Sequence, residues 1–252
     1  TAFIKENKII EGPSFQLRNN FNMDCLNNSV INKGTPRLRK KIKGTVLSLL
    51  TGGGGNSNYW HWLFDVLPRI EIFERNKESL DSIDFFLFPK LNSNFQKQSL
   101  DLLQINKKKR LSSTDYRHFQ ANQIIATSHP YNILNDPSQD SLNIPIWIYN
   151  YLKTKFQNKG LQNSKLNSYP EKIYINRKDA TSLRYIINQK EVENVLKKEK
   201  YLSVTLSDYS FSDQIALFNN AKKIIGLHGA GFANLIFCKT NTKIVELRSK
   251  TA

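Results

Sequence analysis

The sequence has few of the residues that cross-linked, fibrous and membrane-spanning proteins need. It contains 2 cysteines, 11 glycines and 8 prolines in 252 residues, which excludes a disulfide framework, a collagen-like chain and a Pro-rich disordered segment. The cysteines, Cys25 and Cys238, have no CxxC partner and no nearby histidine pair, so we expect two buried thiols in a reducing environment and no zinc site. No apolar run approaches the ~20 residues that span a bilayer. We therefore expect a folded, globular chain that does not cross a membrane.

Positive charge is what the sequence has in excess. Lys and Arg number 37 against 21 Asp and Glu, which gives a net charge of +16. Each half of the chain carries +8, and the only short basic clusters that stand out are Arg37–Lys43 and Lys107–Arg110. A nucleic-acid-binding tail would concentrate the charge. The even distribution favours solvated loops on a surface that attracts anions, including phosphate-bearing substrates or membranes.

Strands alternate with helices along most of the chain, which predicts parallel α/β layers. Short strands and loops are expected before residue 40. The predicted strands are 45–50, 84–88, 123–127, 172–176, 201–206, 223–227 and 243–247. The predicted helices are 59–74, 95–103, 146–157, 189–198, 210–220 and 230–237. A Pro-containing connector over 129–143 predicts two lobes, 1–145 and 146–252, and 158–170 is predicted to be a polar loop.

The segment His228-Gly-Ala-Gly231 joins a predicted strand to a predicted helix. Small residues there let a ligand approach the backbone, and the free N–H groups of a helix N-terminus favour negative charge, so a diphosphate is the expected ligand. The alternative is a tight structural turn that His228 merely caps.

Three charged residues lie at the end of other predicted strands of the second lobe or in the loop that follows. Arg177 and Arg184 can converge on one phosphate, because guanidinium groups pair well with phosphate oxygens. A solvated loop is the alternative. Glu246 can accept hydrogen bonds from ribose hydroxyls, or it can pair with Arg248.

In the first lobe, His61 and Asp65 are four residues apart and share a face of the predicted helix. The pair can orient the imidazole as a general base, or it can supply two metal ligands, although no third ligand is near in sequence. The alternative is a hydrogen-bonded histidine among aromatic residues. Asn58 and Arg69 are further polar groups on this element, and Pro68 is expected to kink or end the helix.

Several catalytic motifs are missing from the sequence. It contains no GxSxG, Walker, HExxH or DxD pattern, which removes support for an esterase, a P-loop NTPase, a zincin and a manganese-dependent nucleotide-sugar site.

Three motifs in order resemble glycosyltransferase family 61. They are Asn58-Tyr-Trp-His-Trp-Leu-Phe-Asp-Val-Leu-Pro-Arg69, Tyr174-Ile-Asn-Arg-Lys-Asp-Ala-Thr-Ser-Leu-Arg184, and Gly226-Leu-His-Gly-Ala-Gly-Phe-Ala-Asn234 followed by Val245-Glu-Leu247. The resemblance covers roughly residues 45–250. Because three motifs occur together in the same order, it is more specific than any one of them.

The resemblance implies a GT-B arrangement, in which two Rossmann-like lobes face a cleft. It further implies an inverting, metal-independent transferase without a cofactor, with an acceptor-side N-terminal lobe and a C-terminal lobe that binds a nucleotide-sugar. His61 and Asp65 are then the candidates for activating the acceptor hydroxyl. The implied substrate-binding residues are Asn58, Arg69, Arg177, Arg184, His228, Gly229, Ala230, Gly231 and Asn234, with Glu246 near the nucleoside.

The expected substrates are a UDP-sugar donor and a glycan or glycolipid acceptor in surface or capsule polysaccharide synthesis. A cytoplasmic location follows, with peripheral association at the inner face of a membrane left open. The sequence stops at Ala252, where family members continue, so we expect a shortened second lobe. Two alternatives stay open at this point. One is an inert nucleotide- or glycan-binding module of a surface-assembly complex, and the other is nucleic-acid binding with steep salt dependence.

Overall fold

The computed structural model describes residues 1–14, 16–17, 23–24, 28–34, 37–51, 53–76, 78–131, 143–166, 168–179 and 184–248. Cys25 and most of the predicted connector, including Pro137, lie outside the described residues. The chain divides into two compact units, Thr1–Ser93 with Ile105–Tyr151 and Asn94–Gln104 with Leu152–Ala252. The segment Asn94–Gln104 groups with the second unit, whereas the sequence placed it in the first lobe. The boundary at residues 145 and 146 and the roles of the two lobes stay predictions.

The first unit contains eight of the described strands, most of them short. They are β1 (Ile4–Lys5), β2 (Lys8–Ile9), β3 (Gln16–Leu17), β4 (Met23–Asp24), β5 (Lys40–Ser48), β6 (Phe85–Phe88), β7 (Arg110–Ser112) and β8 (Phe119–Ala126). Its helices are α1 (Ser29–Lys33), α2 (Tyr59–His61), a π-helical turn at Trp62–Val66, and α3 (Pro68–Arg75). The short strands and loops expected before residue 40 are confirmed where the structure describes them.

The second unit contains helix α4 (Asn94–Leu102), which groups with the C-terminal part of the chain. Helix α5 (Ile146–Asn163) spans the point where the chain passes from the first unit to the second. The other described elements are β9 (Lys172–Ile175), α6 (Gln189–Lys198), β10 (Leu202–Val204), a 3₁₀-helix at Leu206–Asp208, α7 (Phe211–Asn220), β11 (Lys223–Leu227), a 3₁₀-helix at Ala230–Phe237 and β12 (Lys243–Leu247).

Each unit is built on a four-stranded parallel sheet. The strand order is β7-β6-β5-β8 in the first unit and β10-β9-β11-β12 in the second, and every neighbouring pair in both sheets is parallel. Buried apolar residues such as Val46 and Phe88 in the first unit, and Ile173 and Ile224 in the second, form the cores. The prediction of an α/β fold with parallel sheets flanked by helices is confirmed.

Strand β5 begins five residues before the predicted start at Thr45. The apolar pattern marks only the buried part of the strand, whereas Lys40 and Lys41 are exposed but pair with β8 through the backbone. The register shifts between Ile42 and Thr45, where Gly44 has a φ of +125°. A Cβ at Gly44 would overlap the Asp84 side chain. Backbone pairing, which the side-chain pattern does not report, therefore extends this strand.

The predicted helix 59–74 contains a π-helical turn. Pro68 has no N–H, and its ring would clash with the carbonyl four residues earlier in a regular α-helix. The helix is wider before Pro68, because Leu67 N donates over 3.1 Å to the carbonyl five residues earlier, Trp62 O. All five residues of this turn, Trp62–Val66, are buried. Pro68 therefore neither ends nor simply kinks the helix, because the π turn accommodates it and α3 begins at Pro68.

Helix α5 runs six residues beyond its predicted end. The prediction of a loop over 158–170 is therefore wrong for residues 158–163, which are helical. Polar side chains of this stretch bind backbone carbonyls, as Lys159 Nζ does with Leu102 O at the end of α4 at 3.0 Å. Gly160 is not a helix breaker. A Cβ at that position would come within 2.5 Å of Ile215 Cδ1, so glycine allows α5 to pack closely against α7.

The helix predicted at Ala230–Phe237 is a 3₁₀-helix. Asn234 is fully buried, and its Nδ2 donates to Gly231 O at 3.3 Å and to Gln214 Oε1 at 3.0 Å. The first of these bonds occupies the carbonyl that an α-helix would pair with the N–H of Leu235. The N-terminus is also tightened by a bond from Phe232 N to Gly229 O. Fewer backbone N–H groups are therefore left unpaired at this N-terminus than at the start of an α-helix.

Cys238 is buried, as expected. Burial raises the pKa of its thiol to about 11, although Thr242 and Lys153 lower it. Within the described part of the chain, no helix combines the length and apolar character needed to cross a membrane.

Candidate functional site

In each parallel sheet, strands that follow one another in sequence first add to one side of a strand and then continue on its other side. In the first unit β6 and β7 lie on one side of β5 and β8 lies on the other, and in the second unit β10 and β11 flank β9 in the same way. Loops leave the carboxyl ends of the two strands at such a reversal in opposite directions, and the crevice between them is where ligands bind in α/β sheets. Residues after β5 and β8, and after β9 and β11, are therefore the candidates for function.

His61 and Asp65 lie after β5 and contact each other directly. His61 Nδ1 is 2.6 Å from Asp65 Oδ2. Because a carboxylate only accepts, Nδ1 carries the proton, and Nε2 of the neutral ring carries the lone pair. The side chain of His61 is 39% exposed and that of Asp65 only 8%. The buried carboxylate therefore orients an imidazole whose other nitrogen can reach a substrate.

Tyr131, which follows β8, binds the second oxygen of Asp65. Its hydroxyl donates to Asp65 Oδ1 over 2.6 Å, and this hydrogen bond is buried. The two hydrogen bonds together hold both oxygens of Asp65 and fix the carboxylate in one orientation. The edge of the Trp60 indole also contacts the His61 ring, with centroids 5.1 Å apart. His61 thus has one supported position.

Asn58 and Arg69 make their contacts within the protein. Asn58 Oδ1 accepts from Trp60 N at 2.9 Å and from His61 N at 3.3 Å, which caps α2. Arg69 is 6% exposed and donates to the carbonyl oxygens of Asp65 and Thr127 at 3.0 and 3.1 Å. Burial lowers the pKa of Arg69 to about 10, although Asp65 raises it. Substrate binding by these two side chains stays a prediction, and their observed contacts support the loops that carry His61 and Tyr131.

His129 lies beside this group. Its Nδ1 is 2.9 Å from Tyr131 O, and its ring meets the Tyr131 ring edge-on with centroids 4.5 Å apart. Burial lowers the pKa of His129. The charge of Asp65 and the hydrogen bond to Tyr131 oppose this shift by raising the pKa, whereas Arg69 and His61 lower the pKa further. A neutral His129 therefore braces the turn that delivers the Tyr131 hydroxyl to Asp65.

The sequence pattern does not mark Tyr131 or His129 as functional candidates. It assigns both to a connector because of the nearby prolines. The signal that points to them is their place directly after β8, since polar residues at the carboxyl ends of parallel strands are candidates for a site. That signal needs the strand order, which shows that β8 lies next to β5.

In the second unit, Arg177 and Arg184 converge on one backbone oxygen, and their predicted convergence on a phosphate stays a prediction. Their Nη1 atoms donate to His228 O at 2.9 and 3.4 Å. Burial lowers the pKa of Arg177, and the charge of Arg184 lowers it further, while Asp179 raises it. Two guanidinium groups that repel each other at the carboxyl end of a sheet attract an anion.

The small residues after His228 allow the close approach of Arg177. The backbone of Gly229 is extended, and a Cβ there would overlap the guanidinium group of Arg177. A Cβ at Gly231 would come within 2.7 Å of Leu206. Ala230 begins the 3₁₀-helix, whereas the Asn234 side chain is buried and bonded inside the protein. Substrate binding by these residues stays a prediction.

Glu246 contacts His228. Its Oε1 lies 2.6 Å from His228 Nδ1, and its Oε2 lies 3.8 Å from Nε of Arg248. The side chains of His228 and Glu246 are both about one third exposed. The expected pairing of Glu246 with Arg248 is therefore accompanied by a closer contact with His228, and Nδ1 of the imidazole is directed at the carboxylate. This contact leaves Nε2 of His228 available to a ligand.

Among the described residues, no group of three or more His, Cys, Asp and Glu side chains is arranged to hold a metal ion. The metal-ligand interpretation of His61 and Asp65 therefore gains no third ligand from the part of the chain that the structure describes.

We expect Tyr131→Phe to destabilise the first unit. The variant keeps the ring but leaves one oxygen of a buried carboxylate without its donor, at a cost of about 2 kcal/mol in the free energy of unfolding. Urea denaturation measures the difference, with Tyr116→Phe in the same unit as the matched control. Equal stability of the two variants would show that the Tyr131 hydroxyl does not hold Asp65.

We expect stability to fall as the pH is lowered from 7.5 to 5.5, in part because of His129. Its pKa is lowered in the folded state, so below about 6.5 the unfolded chain binds a proton that the folded chain does not. His129→Asn retains a donor near Tyr131 O without this titration and should reduce the pH dependence. Urea denaturation at both pH values measures it, and an unchanged difference between them would contradict the assignment.

Comparison with known proteins adds independent information about this site. Residues 59–245 match the family Glycosyltransferase 61. An EGF domain-specific O-linked N-acetylglucosamine transferase of Gallus gallus is 37% identical over 73 residues, which are 27% of this chain and 14% of that protein. A protein O-linked-mannose beta-1,4-N-acetylglucosaminyltransferase 2 of Xenopus laevis is 32% identical over 91 residues, which are 35% of this chain and 16% of that protein. The matches thus span a small part of the length of these relatives.

A solved structure, the bacterial iron-containing dodecameric glycosyltransferase TibC from enterotoxigenic E. coli, has a TM-score of 0.35 and 12% identity, covering 84% of this chain and 59% of that one. The family match carries more weight because it covers well over half of the chain and includes all three motifs at least in part. The chain belongs to the glycosyltransferase 61 family.

Proposed function

We propose that the protein transfers a sugar from a nucleotide-diphosphate donor to a hydroxyl group of a glycan acceptor, with inversion at the anomeric carbon. The observation that carries the proposal is the His61–Asp65 pair, which presents an oriented imidazole at the carboxyl end of a parallel sheet. Family membership supplies the reaction class, and the geometry supports the residue roles proposed below.

His61 is the proposed general base. In an inverting transfer the acceptor hydroxyl attacks the anomeric carbon as the bond to the diphosphate breaks, and one base removes the hydroxyl proton. Nδ1 of His61 is bonded to Asp65, so Nε2 receives the proton. Asp65, held by Tyr131, then lies beside the positive charge that forms on the ring.

The donor diphosphate is proposed to bind to Arg177, Arg184 and the turn at His228. The departing diphosphate gains negative charge, and fixed positive charges at that position stabilise it. Two guanidinium groups already meet there at His228 O. The arginines carry more of this assignment than the helix N-terminus, because Ala230–Phe237 is a 3₁₀-helix. These cations supply the charge that a metal ion supplies in metal-dependent transferases, and we propose a metal-independent reaction.

Glu246 is proposed to position His228. The sequence placed this carboxylate near the nucleoside, but in the structure it contacts the imidazole. When both ring nitrogens of His228 are protonated, Nδ1 donates to Glu246 and Nε2 can donate to a phosphate oxygen, and the second oxygen of Glu246 stays available to a ribose hydroxyl.

The proposed donor is a uridine diphosphate sugar, and the proposed pathway is the synthesis of a surface or capsule polysaccharide on a glycan or glycolipid acceptor at the cytoplasmic face of a membrane. The relatives are named as N-acetylglucosamine transferases, which makes N-acetylglucosamine the first donor sugar to test.

The test separates the two proposed sites. We expect His61→Gln to lower kcat for acceptor-dependent release of uridine diphosphate at least 100-fold with little change in donor affinity. Arg177→Ala should weaken the binding of uridine diphosphate by about 10- to 100-fold in calorimetry. Arg75→Ala, which removes an exposed arginine paired with Glu71, is the matched control and should change neither quantity.

Each other outcome has a distinct meaning. Full turnover by His61→Gln would remove the base assignment, and unaltered binding by Arg177→Ala would remove the donor assignment. Wild-type protein that binds uridine diphosphate but transfers no sugar from a panel of donors would instead be a nucleotide-binding module.

A further inference from the structure

One charged surface of the first unit has no part in the proposed reaction. It consists of Arg37, Arg39, Lys40, Lys41, Lys43, Lys107 and Lys108 together with Leu38, and we call it the basic edge. These residues come from two separate basic clusters of the sequence, and all of them are exposed.

The parallel sheet brings the two clusters to the same side of the unit. Lys40 to Lys43 lie at the amino end of β5, and Lys107 and Lys108 directly precede β7. The amino ends of parallel strands meet at one edge of a sheet, and a surface groove of about 510 Å³ there is lined by Lys41, Lys43 and Leu111. Lys109 and Arg110 are tied down by bonds to Ile83 O and Ile105 O.

Leu38 is 94% exposed within the basic edge, in a segment that is held in place. His118 Nδ1 is 3.0 Å from Arg37 O, and Lys40 N donates to His118 O at 3.0 Å. The two bonds clamp the backbone on either side of Leu38. A single exposed leucine is ordinary. A leucine fixed outward among five basic residues in positions 37–43 has the composition that binds an anionic lipid surface.

We propose that the basic edge docks the protein on membranes that contain anionic phospholipids. The lysines and arginines contact the lipid phosphates, and Leu38 inserts below the headgroups. Two carboxylates of the described residues near these cations are Asp84, which lies beside Gly44, and Asp115, which precedes Tyr116 of the groove. Asp84 Oδ2 accepts from Thr45 N, and both are outnumbered by the cations. A membrane suits the surface better than a nucleic acid, because an outward leucine gains free energy in lipid and gains none from a phosphate backbone.

The inference deepens the membrane association included in the proposed function, but it does not require transferase activity. Lys43 is the residue of the basic edge nearest to the carboxyl end of β5, and it lies five residues before Ser48, a distance of roughly 16 Å at about 3.3 Å per residue. Changes at the basic edge therefore leave His61 and Asp65 in place, and vesicle binding can be measured on protein without turnover.

The test is co-sedimentation with phosphatidylcholine vesicles that contain 0 or ~30% phosphatidylglycerol, a fraction chosen to give a strongly negative surface. Wild type should bind only the anionic vesicles, and more weakly as salt is raised. The triple variant Arg39→Gln, Lys41→Gln, Lys43→Gln should lose about five-fold in affinity per charge, or roughly 100-fold. The matched control is Lys190→Gln, Lys197→Gln, Lys198→Gln, which removes three exposed lysines of α6 and should bind as wild type does.

Leu38→Ser tests insertion, with Ile187→Ser, at a residue 95% exposed, as its control. We expect a three- to ten-fold loss for Leu38→Ser alone. Equal losses for either variant and its control would overturn the proposal. So would equal binding to neutral vesicles, or tighter binding to a duplex DNA than to anionic vesicles. Circular dichroism confirms that each variant is folded.

Discussion

The reversal of strand order inside each parallel sheet is the constraint on which the proposed chemistry depends. It places the loop after β5 next to the loop after β8, and the loop after β9 next to the loop after β11. Side chains far apart in sequence then share one group of contacts, as Asp65 and Tyr131 do in the first unit. In the second unit Arg177 reaches His228 O in the same way. Each unit thus builds one group of polar contacts where its sheet leaves a crevice.

Burial of Asp65 determines how the side chains of the first group are arranged. A carboxylate removed from water requires hydrogen-bond donors, and here one oxygen is met by Tyr131 and the other by His61. The π-helical turn contributes as well, because it keeps the chain helical up to Pro68 and places Asp65 on its buried side. The side chain that stays partly exposed is the imidazole, the group suited to moving a proton near neutral pH.

Much of this architecture could be predicted from the sequence. Helix α6 and strands β11 and β12 have the predicted bounds because apolar periodicity and capping residues mark them locally. His61 and Asp65, which are predicted to share a helix face, are in contact. Arg177 and Arg184, which are predicted to converge on a phosphate, both donate to His228 O. Helical spacing fixes the first pair, and the strand-end positions of Arg177 and His228 indicate the second.

The rest depends on contacts that no local pattern contains. The sequence does not show that β8 lies beside β5, and so it does not connect Tyr131 and His129 with His61. It does not show the short distance between Glu246 and His228, and the place of Glu246 near a nucleoside stays a prediction. The 3₁₀ form of Ala230–Phe237 depends on the buried Asn234 and its partner Gln214, which lies twenty residues earlier. Tertiary hydrogen bonds override local propensity at each of these positions.

The central claim is that Asp65 acts through His61 as one catalytic unit, and a double-mutant cycle on kcat tests it most directly. His61→Gln, Asp65→Asn and the double variant are measured with the same donor and acceptor, because residues that act as a unit have strongly non-additive effects. The account predicts that the double variant is no slower than His61→Gln alone. If the effects of the two substitutions on kcat multiply, Asp65 acts independently of His61 and the account is wrong.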